Sequence, residues 1–244
     1  LKITLYQFPA VPGQESLSSF CVKAHRLLAY KGLEYDVEVL VSGRDVAGVN
    51  PGVNKLPVVD VDGRRVIDSS RIAAELERLR PDPALFPDDP DQLCLAHFLE
   101  DWADEALYWF LVYSRWCVEP HFEAFAADAL TLAPRPLRKT VGRLLRRGLK
   151  KALHAQGLGR FQWDVVATQL QGHLDQLVHR LAKGPYLVGD RLTVADLAVF
   201  GVIQGLHTPQ LSQTRAMIEA RPTLTDWATR VDEVTTGPHT VAWG

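Results

Sequence analysis

The sequence is poor in cysteine and in long apolar runs, and has no excess of either charge. Cys21, Cys94 and Cys117, among 244 residues, are scattered and odd in number. A disulfide scaffold is not expected from them, and a reducing cytoplasm is the compartment they favour. No apolar stretch approaches the roughly 18 residues that a membrane-spanning helix needs. Leu1–Pro9 reads as a strand without a charged start or a small-residue cleavage site, so no signal peptide is expected there. Lys and Arg number 27 against 29 Asp and Glu, and a net charge of −2 supplies no global pull toward nucleic acid. What is present, 47% hydrophobic and 23% charged residues, suits one large or two ordinary globular domains with a real core.

The most informative segment runs from Lys55 to Ser70. Asp62-Gly63 between β-branched runs is the strongest short hairpin signal a sequence offers. Pro57 opens the first strand, where its missing N–H does least harm and an edge position is expected. Asp68-Ser69 then stands at a helix start, where side-chain oxygens meet free backbone N–H groups. Upstream, Ile3–Phe8 is β-rich. Phe20–Lys31 has Phe20, Ala24, Leu27 and Leu28 at helical spacing, and Gly32 as its stop. Tyr35–Leu40 alternates as a strand does, and an irregular stretch follows through Asn50-Pro51-Gly52. Ser70–Leu79 puts Ile72, Ala73, Leu76 and Leu79 on one helix face. The order βαβ–loop–ββα is that of a thioredoxin-like domain.

Pro81-Asp82-Pro83 and Pro87-Asp88-Asp89-Pro90 punctuate the chain as a linker. The expected organisation is a first domain over residues 1–80, a linker over 81–91 and an all-helical domain over 92–244. Thr193-Val194-Ala195-Asp196 has the form of a capping box, with Leu192 and Leu197 as its staple. Arg221-Pro222 begins another helix that carries Trp227. Arg135 to Lys151 holds eight basic residues and no acid. Leu137, Val141, Leu144, Leu145 and Leu149 form an apolar stripe against those cations. A core-facing helix with a solvated basic face is the preferred reading of 137–151, and contact with an anionic membrane surface is the alternative. Cys94-x-x-His97 and Cys117-x-x-x-His121 have metal-like spacings, but they sit among Leu and Trp in helical patterns. Packing is the reading there, and no metal is expected. His97, Asp101 and Glu105 share a helical face that an exposed polar stripe explains.

A Leu-Pro bond before a hairpin, with Asp-Ser at the next helix start, resembles the glutathione-binding half of the glutathione transferases. Gly189–Asp196 looks like that family's capping signature, and Arg221-Pro222 with Trp227 resembles its late helix. Ser18–Lys23, Gln156–Arg160 and Asp196–Gly201 are similar to the failed-axon-connections and metaxin-like branch. The resemblance implies an α/β thioredoxin-like N-terminal domain plus an all-α C-terminal domain. It implies a cis bond at Leu56-Pro57, and glutathione held as co-substrate by Lys55, Leu56, Pro57, Asp68 and Ser69. It also implies a homodimer. The family's helix that matches the aromatic-rich stretch from Trp102 to Trp116 walls the second-substrate pocket. Core packing is expected for most of these residues, and Tyr108 and Arg115 are the two expected to face a cleft.

Conjugation to a small hydrophobic electrophile needs a thiolate. A thiol of pKa near 8.5 is only about 3% ionised at neutral pH, and a shift of about two units corresponds to about 2.7 kcal/mol. One hydroxyl hydrogen bond to the charged sulfur supplies roughly 1.5–3 kcal/mol, and a helix N-terminus adds roughly 0.3–1 kcal/mol. The resemblance puts Ser18 at the position of the family's catalytic serine or cysteine. Tyr6 is the rival hydroxyl, where other classes keep a tyrosine. Cys21 falls at the resolving position of a Cys-x-x-Cys motif whose first cysteine is missing. Three functions follow in order: a glutathione-conjugating enzyme, a transferase-fold scaffold without turnover, and a glutathione-dependent thiol reductase.

Overall fold

The computed structural model describes residues 1–131 and 135–244. The Arg135 side chain, counted above in the basic segment, lies outside the described residues. β1 (Ile3–Gln7), β2 (Asp36–Val39), β3 (Val58–Val61) and β4 (Arg64–Ile67) form one mixed sheet in the order β2-β1-β3-β4. β1 runs parallel to β2 and antiparallel to β3, with Leu5 opposite both Val37 and Val59. A parallel pair requires a crossover, and α1 (Ser19–Tyr30) supplies it. The antiparallel β3–β4 pair needs only Asp62 and Gly63, at φ 50° and 88°. Positive φ at both centres matches the twist of the flanking strands. α3 (Ser69–Leu79) follows, burying Ile72, Ala73 and Leu76.

One element differs from the sequence reading. The stretch expected to be irregular contains a two-turn helix, α2 (Gly43–Val49). Gly43 and Gly48 hide it, because glycine disfavours helix. Two local features outweigh that cost. The Ser42 hydroxyl accepts from the Asp45 N–H at 3.1 Å, and Val46 is buried.

Among the described residues, all regular elements after the Pro-rich stretch are helical. α4 (Pro90–Trp102), a π-helical turn (Ala103–Leu107) and α5 (Tyr108–Trp116) follow one another without a break. α6 (Glu119–Ala129), α7 (Arg138–Gln156), α8 (Trp163–Leu181), α9 (Val194–Leu206), α10 (Ser212–Glu219) and α11 (Pro222–Val234) complete the fold. No helix among the described residues is long and apolar enough to cross a membrane.

α9 is buried at every position. The capping box is present at its start: Asp196 Oδ2 accepts the Thr193 N–H at 2.9 Å. The other oxygen, Oδ1, accepts from the Leu187 N–H and the Trp227 indole, both at 2.9 Å. One buried carboxylate thus ties the loop before α9 to α11. α9 packs on α1 at close range because residue 201 is glycine. A Cβ there would lie 2.7 Å from the Ser19 carbonyl oxygen. With α9 on one side and the sheet on the other, α1 buries even Lys23, His25 and Arg26.

The basic helix α7 departs from the preferred reading. It buries Gly142 and Leu153 and packs Leu149 against the core. Leu137, Leu144 and Leu145 of the expected core-facing stripe are exposed. The reason lies in the inner line of contact. Gly142 abuts Leu130, and Arg146 reaches inward to the Trp116 carbonyl at 2.8 Å and to Glu119. That side of the helix is therefore taken, and the leucines are turned outward.

Candidate active site

The first helix starts from an immobilised loop. Leu17 N–H bonds the Pro9 carbonyl at 2.8 Å, and the Ser16 hydroxyl donates to the Phe8 carbonyl at 2.9 Å. Arg115, on α5, reaches the Leu17 carbonyl at 2.6 Å and also donates to Gln14. Its guanidinium lies 4.6 Å above the Phe125 ring, and its Nε has no hydrogen-bond partner among the described residues. Arg115 is 5% exposed, and burial lowers its pKa to about 10. A cation bonded to neutral oxygens therefore stands behind the residue that precedes Ser18.

Ser18 is the N-cap residue of α1, half-buried, with extended backbone at φ −102° and ψ 120°. Its hydroxyl makes no capping bond, so it is not committed to the helix. One turn on, Cys21 is fully buried. Burial pushes its thiol pKa up, opposed by the Phe8 backbone and by the Ser18 and Ser16 hydroxyls beside it. Cys21 belongs to a small apolar cluster with Leu40, Val46, Leu56 and Val58, edged by Tyr6 and Phe8. The Tyr6 ring carries the Arg65 guanidinium at 5.9 Å. Tyr108 packs on Phe20 with ring centroids 4.8 Å apart. Burial raises its pKa, against the pull of the Arg115 charge.

The entry to β3, an inner strand of the sheet rather than the edge strand that Pro57 suggests, supplies a second wall. The Leu56–Pro57 bond is cis, both residues are buried, and Lys55 is exposed. Asn50 Nδ2 donates to the Lys55 carbonyl at 2.8 Å. After β4, Asp68 caps α3: its Oδ1 accepts from the Ser70 N–H at 3.0 Å and the Arg71 N–H at 3.3 Å. Asp68 adopts φ 81° and is exposed, and Ser69 behind it is buried. An L-residue with such a φ costs on the order of 1–3 kcal/mol and persists where the surroundings impose it.

A buried charge cluster joins these walls to the helical part. Lys23 Nζ lies 2.7 Å from Glu100 and 2.9 Å from Asp104. Burial alone would lower the Lys23 pKa, but the two carboxylates more than reverse it and raise it. The Ser70 hydroxyl donates to the same Glu100 oxygen at 2.7 Å. Burial raises the Asp104 carboxyl against the pull of Lys23, with Glu100 and Asp68 adding repulsion.

The structure thus gathers Ser18, Cys21, Tyr6 and Leu56 around one apolar cluster, and sets Tyr108 on Phe20 at the same helix start. Ser70, in the first turn of the helix that Asp68 caps, meets Lys23 of α1 at the shared Glu100 carboxylate. The Arg115 guanidinium points into the protein. His97, Asp101 and Glu105 are exposed, while Glu100 and Asp104 face inward. His121 bonds the Ser114 carbonyl at 3.2 Å and accepts from the Gln213 N–H at 3.3 Å. Among the described residues no group of three or more His, Cys, Asp or Glu is placed to hold a metal ion.

Residues 17–79 match the glutathione S-transferase N-terminal domain, and residues 159–235 match its C-terminal domain. The chain belongs to the glutathione S-transferase family. It is 25% identical over 235 residues to the isoprene-epoxide glutathione S-transferase of Rhodococcus, covering 94% of this chain and 97% of that one. It is 26% identical over 216 residues to Failed axon connections of Drosophila melanogaster, covering 84% of this chain and half of that protein. The fold is shared with the beta-etherase LigF of Sphingobium, at TM-score 0.65 and 21% identity over 98% of this chain and 97% of that one. It is shared as well with a glutathione S-transferase of Sinorhizobium meliloti, at TM-score 0.64 and 18% identity over 98% and 90% of the two chains.

Sequence reasoning did not single out Lys23, Glu100, Asp104, Ser70 or Asn50 in this family member. One signal was available for the acids. Glu100 and Asp104 stand four residues apart on one helix, in line with the apolar face that includes Ala96, Ala103 and Leu107. Lys23 carried none, because nothing local distinguishes a lysine that a second domain will cover.

Proposed function

We propose that this transferase conjugates glutathione to a small hydrophobic electrophile, with the Ser18 hydroxyl donating a hydrogen bond to the glutathione thiolate. One observation carries the reading. Ser18 occupies the N-cap of α1 without spending its hydroxyl on the cap, and the helix N-terminus favours an anion at the same spot. The tripeptide lies against the segment that enters β3, its backbone paired with Leu56 just ahead of Pro57. Its γ-glutamyl end meets Asp68 and Ser69, and Lys55 meets a carboxylate. Tyr108 walls the electrophile side. The similarity to a Rhodococcus transferase named for an epoxide substrate supports the conjugating class. Arg115 acts here as a positioning residue that holds the Leu17–Ser18 junction, and its charge favours a nearby anion. Burial of Cys21 and its raised pKa weigh against a thiol reductase, since the thiolate is the reactive form. A homodimer in the cytoplasm completes the proposal, and three cysteines without disulfide partners accord with that compartment.

A second reading, a transferase-fold binding protein without turnover, is favoured by one feature. The Ser18 hydroxyl already lies beside the Cys21 thiol, which competes for its hydrogen bond. Calorimetric titration with glutathione, followed by an epoxide-conjugation assay, separates the two. Binding with turnover supports the enzyme; binding without turnover supports the second reading; absence of binding contradicts both.

A further inference from the structure

The outward face of α7 carries a pattern that the transferase site does not use. Leu137 is 51% exposed, Leu144 65% and Leu145 46%, with half-buried Val141 among them. At 100° per residue these four fall within about 100° of arc, a continuous stripe along the helix. Exposed Lys139, Arg143, Arg147, Lys150 and Lys151 flank it on one side. Eight of the chain's 27 basic residues fall between Arg135 and Lys151, and none of its 29 acidic residues does. The side of the helix that adjoins the stripe beyond Leu145 faces the protein through Gly142, Leu149 and Leu153. Arg146 is also on that side, paired with Glu119, so it is not counted with the outward cations.

We propose that this face of α7 docks on an anionic lipid bilayer. The leucines enter the boundary between headgroups and acyl chains, and the cations lie among the headgroups. Charge complementarity selects this occupant. A second copy meeting the face across a two-fold axis would set the same cations against themselves with no acid to compensate. A nucleic acid would use the cations but gain nothing from the exposed leucines. The rest of the chain holds 19 basic residues against all 29 acidic ones, so an anionic surface repels the rest of the molecule and orients this face toward itself. The proposal does not depend on glutathione chemistry.

The test is flotation of the full chain with vesicles of phosphatidylcholine, and of phosphatidylcholine with phosphatidylglycerol, at low and high salt. The wild type is expected to float with the anionic vesicles and not with the neutral ones, and to release as salt rises. A Leu144→Ser, Leu145→Ser double variant and an Arg143→Gln, Arg147→Gln, Lys151→Gln triple variant should each bind at least about tenfold more weakly, at unchanged melting temperature. These positions are exposed, so folding is expected to survive. Wild type that ignores both vesicle types overturns the proposal. So does a leucine variant that binds as well as wild type, or that binds short duplex DNA and anionic vesicles alike. A wild-type dimer in sedimentation that the leucine variant dissolves also overturns it, in favour of a second copy.

Discussion

Lys23 Nζ and Glu100 Oε1 stand 2.7 Å apart, both nearly without solvent contact, and they bolt the first helix of the sheet domain to the first helix of the helical one. Ser70 donates to the same oxygen. The start of α3, which carries Asp68 and Ser69, is therefore fixed to the second domain through one carboxylate. Asp104 takes the other side of the ammonium.

Removing the lysine should be costly. Lys23→Met strands two buried carboxylates, and breaking one partner of such a pair typically costs about 3–5 kcal/mol. Ser70→Ala removes one charge-assisted hydrogen bond, worth about 1.5–3 kcal/mol. Urea unfolding of both variants measures the losses. A Lys23→Met protein within about 1 kcal/mol of wild type would show that the cluster does not hold the domains as described.

Asp68 sets stability against binding. Its φ of 81° is a conformation that glycine tolerates. Asp68→Gly should keep or gain stability, since glycine is nearly as good an N-cap. The same change should weaken glutathione binding by roughly 10- to 150-fold, from the loss of a charge-assisted bond of about 1.5–3 kcal/mol. Asp68→Asn keeps the cap and loses the charge, and should weaken binding as well. Calorimetry showing glutathione held as tightly by both variants would refute the placement of the γ-glutamyl end.

The chain should lose stability in mild acid through His25. Its ring is buried between the Tyr35 hydroxyl at 2.8 Å and the Gln7 amide oxygen at 2.7 Å. Burial, helped by His239 and Arg26, lowers its pKa to about 3. Above pH about 6.5 neither the folded nor the unfolded ring is protonated. Below it the unfolded chain takes up a proton that the folded one refuses, so stability falls as pH falls toward 3. The slope is about 1.4 kcal/mol per pH unit, or roughly 2 kcal/mol between pH 6.5 and 5. Urea unfolding at pH 7 and 5 should show a loss about this much larger in wild type than in His25→Gln, because His121, His173 and His207, also lowered by burial, titrate in both proteins. Equal pH dependence in the two proteins would contradict it.

The hairpin, α1, α3 and the capping box were legible because each is specified locally. Asp62-Gly63 dictates its turn, and Thr193 and Asp196 close a box within four residues. The short α2 was not, because its glycines disguise it and burial of Val46 decides it. Among candidate site residues, Ser18, Leu56, Asp68 and Ser69 were nameable because caps and strand openings leave marks in the chain. Lys23, Glu100 and Asp104 were not, because burial of a lysine depends on a helix contributed some 80 residues later. The inward turn of Arg115 and the outward turn of α7's leucines have the same origin: helical periodicity fixes a face, and only packing decides which way it looks.

Arg115 should act through its charge more than through packing. Arg115→Leu removes a buried cation bonded to neutral oxygens, so it strands no carboxylate. Its stability loss should stay near the roughly 1–3 kcal/mol of an unsatisfied Leu17 carbonyl. The thiol pKa of bound glutathione should rise. An unchanged thiol pKa would confine Arg115 to a structural role.

The central claim is that Ser18 holds the thiolate, and a pH titration of the ultraviolet thiolate absorbance of bound glutathione tests it most directly. Wild type should titrate roughly two units below the free thiol value of about 8.5. Ser18→Ala should titrate about one to two units higher than wild type, the size of the lost hydrogen bond. Glutathione affinity should fall less, because the peptide contacts remain. Tyr6→Phe and Cys21→Ser should titrate like wild type. If Ser18→Ala is indistinguishable from wild type while Tyr6→Phe shifts upward, the tyrosine holds the thiolate and the serine assignment is wrong.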